Sequence, residues 1–295
     1  MESRPHGIIP AMVTPLTDNE AIDEPALRRL VNHLIAGGVH GLFAVGSQGE
    51  AWALSFEEKK RVIEIVVDET RGRLPVYAGT GTVTTAETVA LTRMAERAGA
   101  DAVSVVTPYF ITPSQDELYE HYATLARSTR LPIVLYPNPG RTHVPMSPDL
   151  VARLSRIDNI VGVKDSSGDL TITTEYIRRT GPDFAVLMGR DTLIYAVLVS
   201  GGKGAIAATA NAAPRLVVEI YEAFKAGDLE RARQAQLRLA PLRLAFEMGT
   251  FPVVIKEALA LMGICSARAK APVGPLPAAR REELRRVLVE MGVLG

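Results

Sequence analysis

The sequence predicts an α/β protein, a closed (β/α)8 TIM barrel with a C-terminal helical lobe, and three observations carry that prediction. Short runs of β-branched and small apolar residues alternate with stretches of helical spacing, and eight such pairs follow one another between residues 7 and 225. Their spacing, roughly 25 to 35 residues, is that of strands joined by crossover helices, and the commonest closed arrangement of such units has eight. No Gly-x-Gly-x-x-Gly opens the first helix, which weighs against an open doubly wound sheet with a dinucleotide site.

The elements follow in order. Residues 7–13 form a short apolar run, and residues 23–36 carry Leu27, Leu30, Val31 and Leu34 on one helical face. Strand-like residues 41–45 precede a helix at 56–69, and residues 75–79 precede one at 86–98. Residues 102–106 lead through a loop to a helix at 115–128, and residues 132–136 lead to 147–154. The series closes with 161–164 before 170–179, 184–188 before 191–199, and 204–207 before 213–225. Apolar periodicity then continues at 229–246, 251–262 and 278–291, which predicts an extra helical lobe, its last helix set off by the Gly-Pro-rich residues 271–277. The expected division is a catalytic barrel over residues 1–225 and a helical extension packed on it over 226–295, with no compositional break between them.

Composition narrows the function classes. The 33 Lys and Arg residues balance 33 Asp and Glu residues, whereas a general polyanion binder needs a basic excess; no nucleic-acid partner is expected. The clusters Arg280-Arg281 and Arg285-Arg286 alternate with glutamates and read as a solvated helix face. Cys265 is the only cysteine, so no intrachain disulfide or cysteine-rich metal site is expected, and a reducing cytoplasm fits. Residues 1–7 lack an apolar core of signal-peptide length, and nowhere do about 18 apolar residues run together, so neither secretion nor a membrane partner is expected.

In a barrel of this kind the functional groups stand at the carboxyl ends of the strands. The sixth ends in Ile160-Val161-Gly162-Val163-Lys164-Asp165-Ser166-Ser167-Gly168-Asp169, a buried strand that stops on a lysine. Burial without a partner disfavours an ammonium, and a neutral amine is what attacks a carbonyl to form a Schiff base. The alternative is a lysine that reaches solvent or pairs with Asp165. The second strand ends in Gly46-Ser47-Gln48-Gly49-Glu50, where glycines let backbone N–H groups approach an anion. The fourth ends in Thr107-Pro108-Tyr109-Phe110, the fifth in Tyr136-Pro137-Asn138-Pro139-Gly140-Arg141-Thr142, and the seventh in Gly189-Arg190-Asp191.

Gly46-Ser47-x-Gly49-Glu50, Tyr136 with Asn138-Pro139, Gly162 to Asp169, and Gly204-Ala205-Ile206 resemble, in this order, the dihydrodipicolinate synthase and N-acetylneuraminate lyase family over residues 7 to about 265. The resemblance implies a homotetramer or homodimer that joins its lysine to pyruvate or another 2-oxo acid. It implies Lys164 as the Schiff-base lysine, Tyr136 as the proton shuttle, and Ser47 as the hydroxyl bonded to that tyrosine. Ser47 and the N–H groups of Gln48 and Gly49 suit the pyruvate carboxylate, while the Gln48 side chain, where the family commonly has threonine, would reach toward the second substrate. Gly189 and Ile206 match positions that border the bound 2-oxo acid. Arg141 matches the arginine that receives the carboxylate of the incoming aldehyde, although it also reads as an ordinary surface residue. Phe110 stands where the synthases place a tyrosine of the neighbouring subunit's proton relay; a phenyl ring passes no proton, so Tyr109 or water would have to replace it. Phe56, Lys59 and Val83 stand where feedback ligands are polar, and lysine inhibition is not expected.

Two enzymatic readings follow from the resemblance. The first condenses pyruvate with an aldehyde such as aspartate semialdehyde, and Arg141 favours it. The second is an aldolase or dehydratase for a 2-oxo-3-deoxy sugar acid of the 2-keto-3-deoxygluconate type, favoured by Phe110 and Gln48. A third, non-catalytic 2-oxo acid sensor is disfavoured by the presence of both Lys164 and Tyr136. No metal, nucleotide or organic cofactor is expected, because His6, His33, His40, His121 and His143 show no ligand-like spacing at strand ends.

Overall fold

The computed structural model describes residues 4–295; residues 1–3, which open the expected barrel segment and fall in the expected leaderless terminus, lie outside the described residues. Eight parallel strands, β1 (Gly7–Pro10), β2 (Leu42–Ala44), β3 (Val76–Gly79), β4 (Ala102–Val106), β5 (Ile133–Tyr136), β6 (Ile160–Asp165), β7 (Ala185–Met188) and β8 (Gly204–Ala207), pair in sequence order, with β8 returning to β1. The remaining seam, between β1 and β2, is held by the Ala11–Phe43 bridge, with the Met12 N–H donating to the Phe43 carbonyl at 2.9 Å. The barrel is therefore closed, as expected. Gly204 lets the last strand meet the first: its φ is +148°, and a Cβ there would lie 2.0 Å from the Gly7 carbonyl oxygen.

β1 stops at Pro10, short of the expected residue 13, because the chain then leaves the ladder to bridge two neighbours: Ala11 donates to Ala207 and Met12 to Phe43. Helices cover the outside and start where the sequence places their caps. Ser55 and Ser114 form capping boxes with Glu58 and Glu117, and Asp169 caps Leu170–Arg179 by accepting the Thr171 N–H at 2.8 Å. A short helix at Pro139–Thr142 was not expected; Pro139 at its first position fixes a helical φ, and it turns Arg141 back over the barrel mouth. The helices Leu229–Leu244, Val253–Leu261 and Ala278–Glu290 follow the barrel, and their buried Leu239, Val254, Ala258 and Leu284 share one apolar cluster with Ala205 and Ala207 of β8. Inside the barrel, Ile9, Phe43, Tyr77, Val134, Leu187 and Ile206 fill the space between the strands. Among the described residues no helix is long and apolar enough to cross a membrane.

Candidate active site

β5 and β6 carry the central pair, and their register contains the feature that aims it. Ile133 faces Ile160, but Val134 faces Gly162, so β6 holds one extra residue at Val161. Without that bulge Lys164 would share the side of Ile160, which packs against the helical layer. With it, Val163 takes the helical side and Lys164 turns inward, 4% exposed, its Nζ 3.8 Å from the centroid of the Tyr136 ring and 5.1 Å from that of Phe43. Asp165 points the other way. Its carboxylate accepts from the Thr173 hydroxyl at 2.5 Å and the Ser167 N–H at 2.9 Å, which removes the alternative in which it pairs with Lys164.

Tyr136 ends β5 with its hydroxyl between two polar partners: Asn138 donates to it through Nδ2 at 3.0 Å, and Ser47 Oγ lies at 3.4 Å. Burial acts to raise the pKa of this phenol. The Lys164 charge, with the hydrogen bonds of Ser47, Lys164 and Asn138, outweighs burial and holds it below the usual phenol value. The loop after β2 brings Ser47 to this point and leaves the N–H groups of Gln48 and Gly49 without an acceptor among the described residues. The Gln48 side chain is 3% exposed, and neither its amide nitrogen nor its oxygen has a partner. The Gly49 carbonyl accepts the Thr14 hydroxyl at 2.7 Å, which pins the turn. At Gly189 any Cβ would lie 2.0 Å from Ser166 Oγ, so only glycine leaves room at this edge of the pocket, and buried Ile206 forms the floor.

These groups open onto connected spaces. A cavity of 100 Å³ reaches Lys164, Ser47, Gln48, Gly189 and Ile206. A wider mouth of 290 Å³ lies over Tyr136, Ser47, Asn138 and Arg141, walled by Trp52, Tyr109 and Phe251. Arg141 reaches both, with its guanidinium 3.8 Å from the Phe251 ring centroid, so it is part of the site. Phe110 is not brought in: it stands 96% exposed at φ +76°, and Tyr109 lines the mouth instead.

The loop of Ser47 is tied to the helical lobe by a buried ion pair. The Lys256 ammonium donates to Glu50 and, at 2.5 Å, to the Arg268 carbonyl, while the Lys270 N–H donates to the Glu50 carboxylate at 2.7 Å. Sequence reasoning missed this pair, and with it Phe43, Phe251 and Arg243 as neighbours of the lysine, and it named Arg190 at the end of the seventh strand without giving it a role. Arg243 lies in Leu229–Leu244, where nothing local marks it. Three of the five histidines are used elsewhere: His33 contacts the Asn211 carbonyl at 3.0 Å, His40 the Glu222 carboxylate at 2.8 Å and His121 the Thr85 hydroxyl at 2.9 Å. Among the described residues no three His, Cys, Asp or Glu side chains gather as metal ligands do.

Residues 4–291 match the model of the dihydrodipicolinate synthetase family. The chain is 43% identical over 290 residues to a 4-hydroxy-tetrahydrodipicolinate synthase of Methanopyrus kandleri, covering 98% of this chain and 97% of the relative. It is 44% identical over 289 residues to one of Syntrophus aciditrophicus, with 98% and 99% covered. Among solved structures, dihydrodipicolinate synthase from Aquifex aeolicus superposes with a TM-score of 0.94 at 35% identity, over 98% of both chains. A prophage protein of the same family from E. coli K12, in complex with pyruvate, superposes with a TM-score of 0.95 at 34% identity, over 98% of this chain and 99% of that one.

Proposed function

The chain belongs to the dihydrodipicolinate synthetase family, and on that premise we propose that it joins pyruvate, held as a Schiff base on Lys164, to an aldehyde that bears a carboxylate, such as aspartate semialdehyde. It is a lyase of the class I aldolase type. The observation that carries the residue assignment is the buried Lys164 amine, 3.8 Å from the ring of a tyrosine whose hydroxyl is held by Asn138, in a cavity bordered by Arg141.

The steps follow from that geometry. The Lys164 amine adds to the pyruvate carbonyl, and loss of water gives a protonated imine. Ser47 and the free N–H groups of Gln48 and Gly49 hold the pyruvate carboxylate. The imine draws electrons from the methyl carbon, a proton leaves, and the resulting enamine attacks the aldehyde carbon. Tyr136, its phenol favoured as an anion by the Lys164 charge, carries protons between the carbinolamine, the methyl group and the aldehyde oxygen. Arg141, oriented on Phe251, takes the aldehyde's carboxylate. With Phe110 outside the pocket, Tyr109 at the mouth and water carry the outward relay. The imine nitrogen is the electron sink, so this chemistry needs no metal or organic cofactor. Exposed Phe110 supports a homotetramer or homodimer, and the single cysteine supports a cytoplasmic enzyme.

Borohydride trapping tests the reading. Protein incubated with pyruvate and a strong chelator, then reduced and digested, is expected to carry the added mass on the peptide containing Lys164, and Lys164→Ala protein is expected to carry none. A folded wild-type protein that gains no adduct would overturn it.

A further inference from the structure

Asn138 stands at the N-terminal cap of the helix Pro139–Thr142, yet its side chain bonds none of that helix's N–H groups. An asparagine in this position ordinarily accepts an N–H two or three residues further on. Here the amide turns back along the chain instead, and its Nδ2 donates to the Tyr136 hydroxyl oxygen at 3.0 Å. Prolines on both sides restrict the backbone, and Pro139 keeps Asn138 out of the helical region, at φ −137° and ψ 66°.

The amide has a fixed origin. The Asn138 carbonyl accepts the N–H groups of Arg141 and Thr142, each at 2.9 Å, and the Thr142 hydroxyl at 3.1 Å. That hydroxyl also lies 2.9 Å from the Thr107 hydroxyl, and both residues are buried, so the chain leaving β4 braces the turn. The Pro137 carbonyl accepts the Ser166 N–H at 3.1 Å, which ties the turn to the end of β6. From this base the half-buried Asn138 borders both the cavity at Lys164 and the mouth above it.

Donor accounting gives the arrangement a direction. A side-chain NH2 donates and accepts nothing, so Asn138 occupies a lone pair of the Tyr136 oxygen and cannot receive its hydrogen. The phenol's one hydrogen is left for Ser47, 3.4 Å away, or for a reacting atom in the cavity. Burial raises the pKa of the phenol, and the Lys164 charge followed by the bonds of Ser47, Lys164 and Asn138 lowers it; Asn138 comes last of these while the lysine is an ammonium. The lysine does not stay charged. Its nitrogen is neutral when it attacks pyruvate and neutral again in the enamine, so its pull on the Tyr136 oxygen comes and goes, whereas the amide dipole is permanent.

We propose that Asn138 is a positioning residue for Tyr136: by donating to its oxygen throughout the cycle, it keeps that oxygen beside the Lys164 nitrogen and steers the phenol's single proton toward the reacting carbon. The inference rests on the Lys164 Schiff base proposed above. In the step concerned, the methyl proton passes to the Tyr136 phenolate oxygen, the C–H electron pair becomes the enamine double bond, and the imine electrons settle on nitrogen. Asn138 stabilises the phenolate that receives the proton and afterwards holds the phenol that returns it, and nothing is oxidised or reduced.

The test needs no aldehyde. Wild-type protein with pyruvate in heavy water is expected to exchange the methyl protons for deuterium, read by proton NMR, at a rate that rises through an acid limb as Tyr136 ionises. Asn138→Ala is expected to slow exchange about tenfold at neutral pD and to move the limb up by about one unit, the lower end of what a bond to a charged group contributes. Asn138→Asp, of the same size but presenting only acceptors and a negative charge, is expected to move the limb further in the same direction. Both variants are expected to trap as much pyruvate on Lys164 under borohydride as the wild type. A limb that stays in place or falls, or exchange that slows equally at every pD, would overturn the assignment. So would wild-type exchange with only a raised KM for the aldehyde, which would make Asn138 a substrate contact, or loss of trapping in the variants alone, which would make it a support of the lysine. No adduct in the wild type would remove the Schiff base itself and the role of Asn138 with it, and trapping therefore separates the two failures.

Discussion

Two forces oppose each other on the Tyr136 phenol. Burial favours its neutral form, and the Lys164 ammonium with three hydrogen bonds favours the anion and wins. Because the folded-state value lies below the unfolded one of about 10, the associated stability is complete above about pH 10 and is lost as pH falls through the folded-state value. Lys164→Met keeps the burial and removes the charge, so the Tyr136 phenolate, followed by ultraviolet difference spectroscopy against Tyr136→Phe, is expected to form at higher pH than in the wild type. An unmoved or lower titration would show that the lysine charge is not what holds the phenol. Tyr136→Phe is expected to slow turnover about 10²- to 10⁴-fold, the usual contribution of a positioned proton donor, while pyruvate still becomes trapped on Lys164. Lys164 and Tyr136 were legible as candidates because each is a reactive residue type at the end of an apolar run. Gln48 was legible as a departure from the family pattern, whereas its lack of partners was not, since that depends on everything packed around it.

Two local devices turn those residues into a site. The bulge at Val161 moves Lys164 from the helical side to the barrel interior, and a one-residue slip is invisible in an apolar run whose every residue is buried or nearly so. The second device is the loop after β2, whose Glu50 holds φ +59° and anchors to Lys256. Both side chains are fully buried, and burial lowers the Lys256 pKa against the opposing attraction of Glu50. Lys256→Met leaves the carboxylate buried without its partner and is expected to lower unfolding free energy by about 3–5 kcal/mol in urea titration. The same change frees the turn that carries Ser47, so KM for pyruvate is expected to rise. Adding Glu50→Gln should recover a good part of the stability; no recovery would mean that the loss came from packing rather than from the stranded charge.

At the scale of the whole molecule the single chain leaves apolar surface around the mouth of the site. Phe110 and Ile111 are 96% and 53% exposed, and Trp52, which lines the same mouth as Tyr109, is 44% exposed. Holding an exposed phenylalanine at φ +76° costs backbone energy that a lone chain does not recover. A second copy covering this loop would recover it, so sedimentation is expected to show a dimer or tetramer in the wild type and a smaller species for Phe110→Asp with little change in melting temperature. A wild type that sediments as a monomer at every concentration tested would remove this account of Phe110.

The sequence by itself determined the strand–helix alternation, the eightfold closure, the start of most helices and the two strand-end residues of the proposed chemistry. Each of these follows from periodicity, capping and breaker residues within about a dozen positions, and local patterns survive whatever the rest of the chain does. Only the tertiary structure decided which face Lys164 takes, that Glu50 meets Lys256 across 206 positions, and that Arg243 joins Arg141 and Arg190 beside Gln48. Those outcomes depend on strand register and on how the helical lobe docks against the barrel, and both are set by the packing of distant surfaces that leaves no periodic trace in the residues concerned.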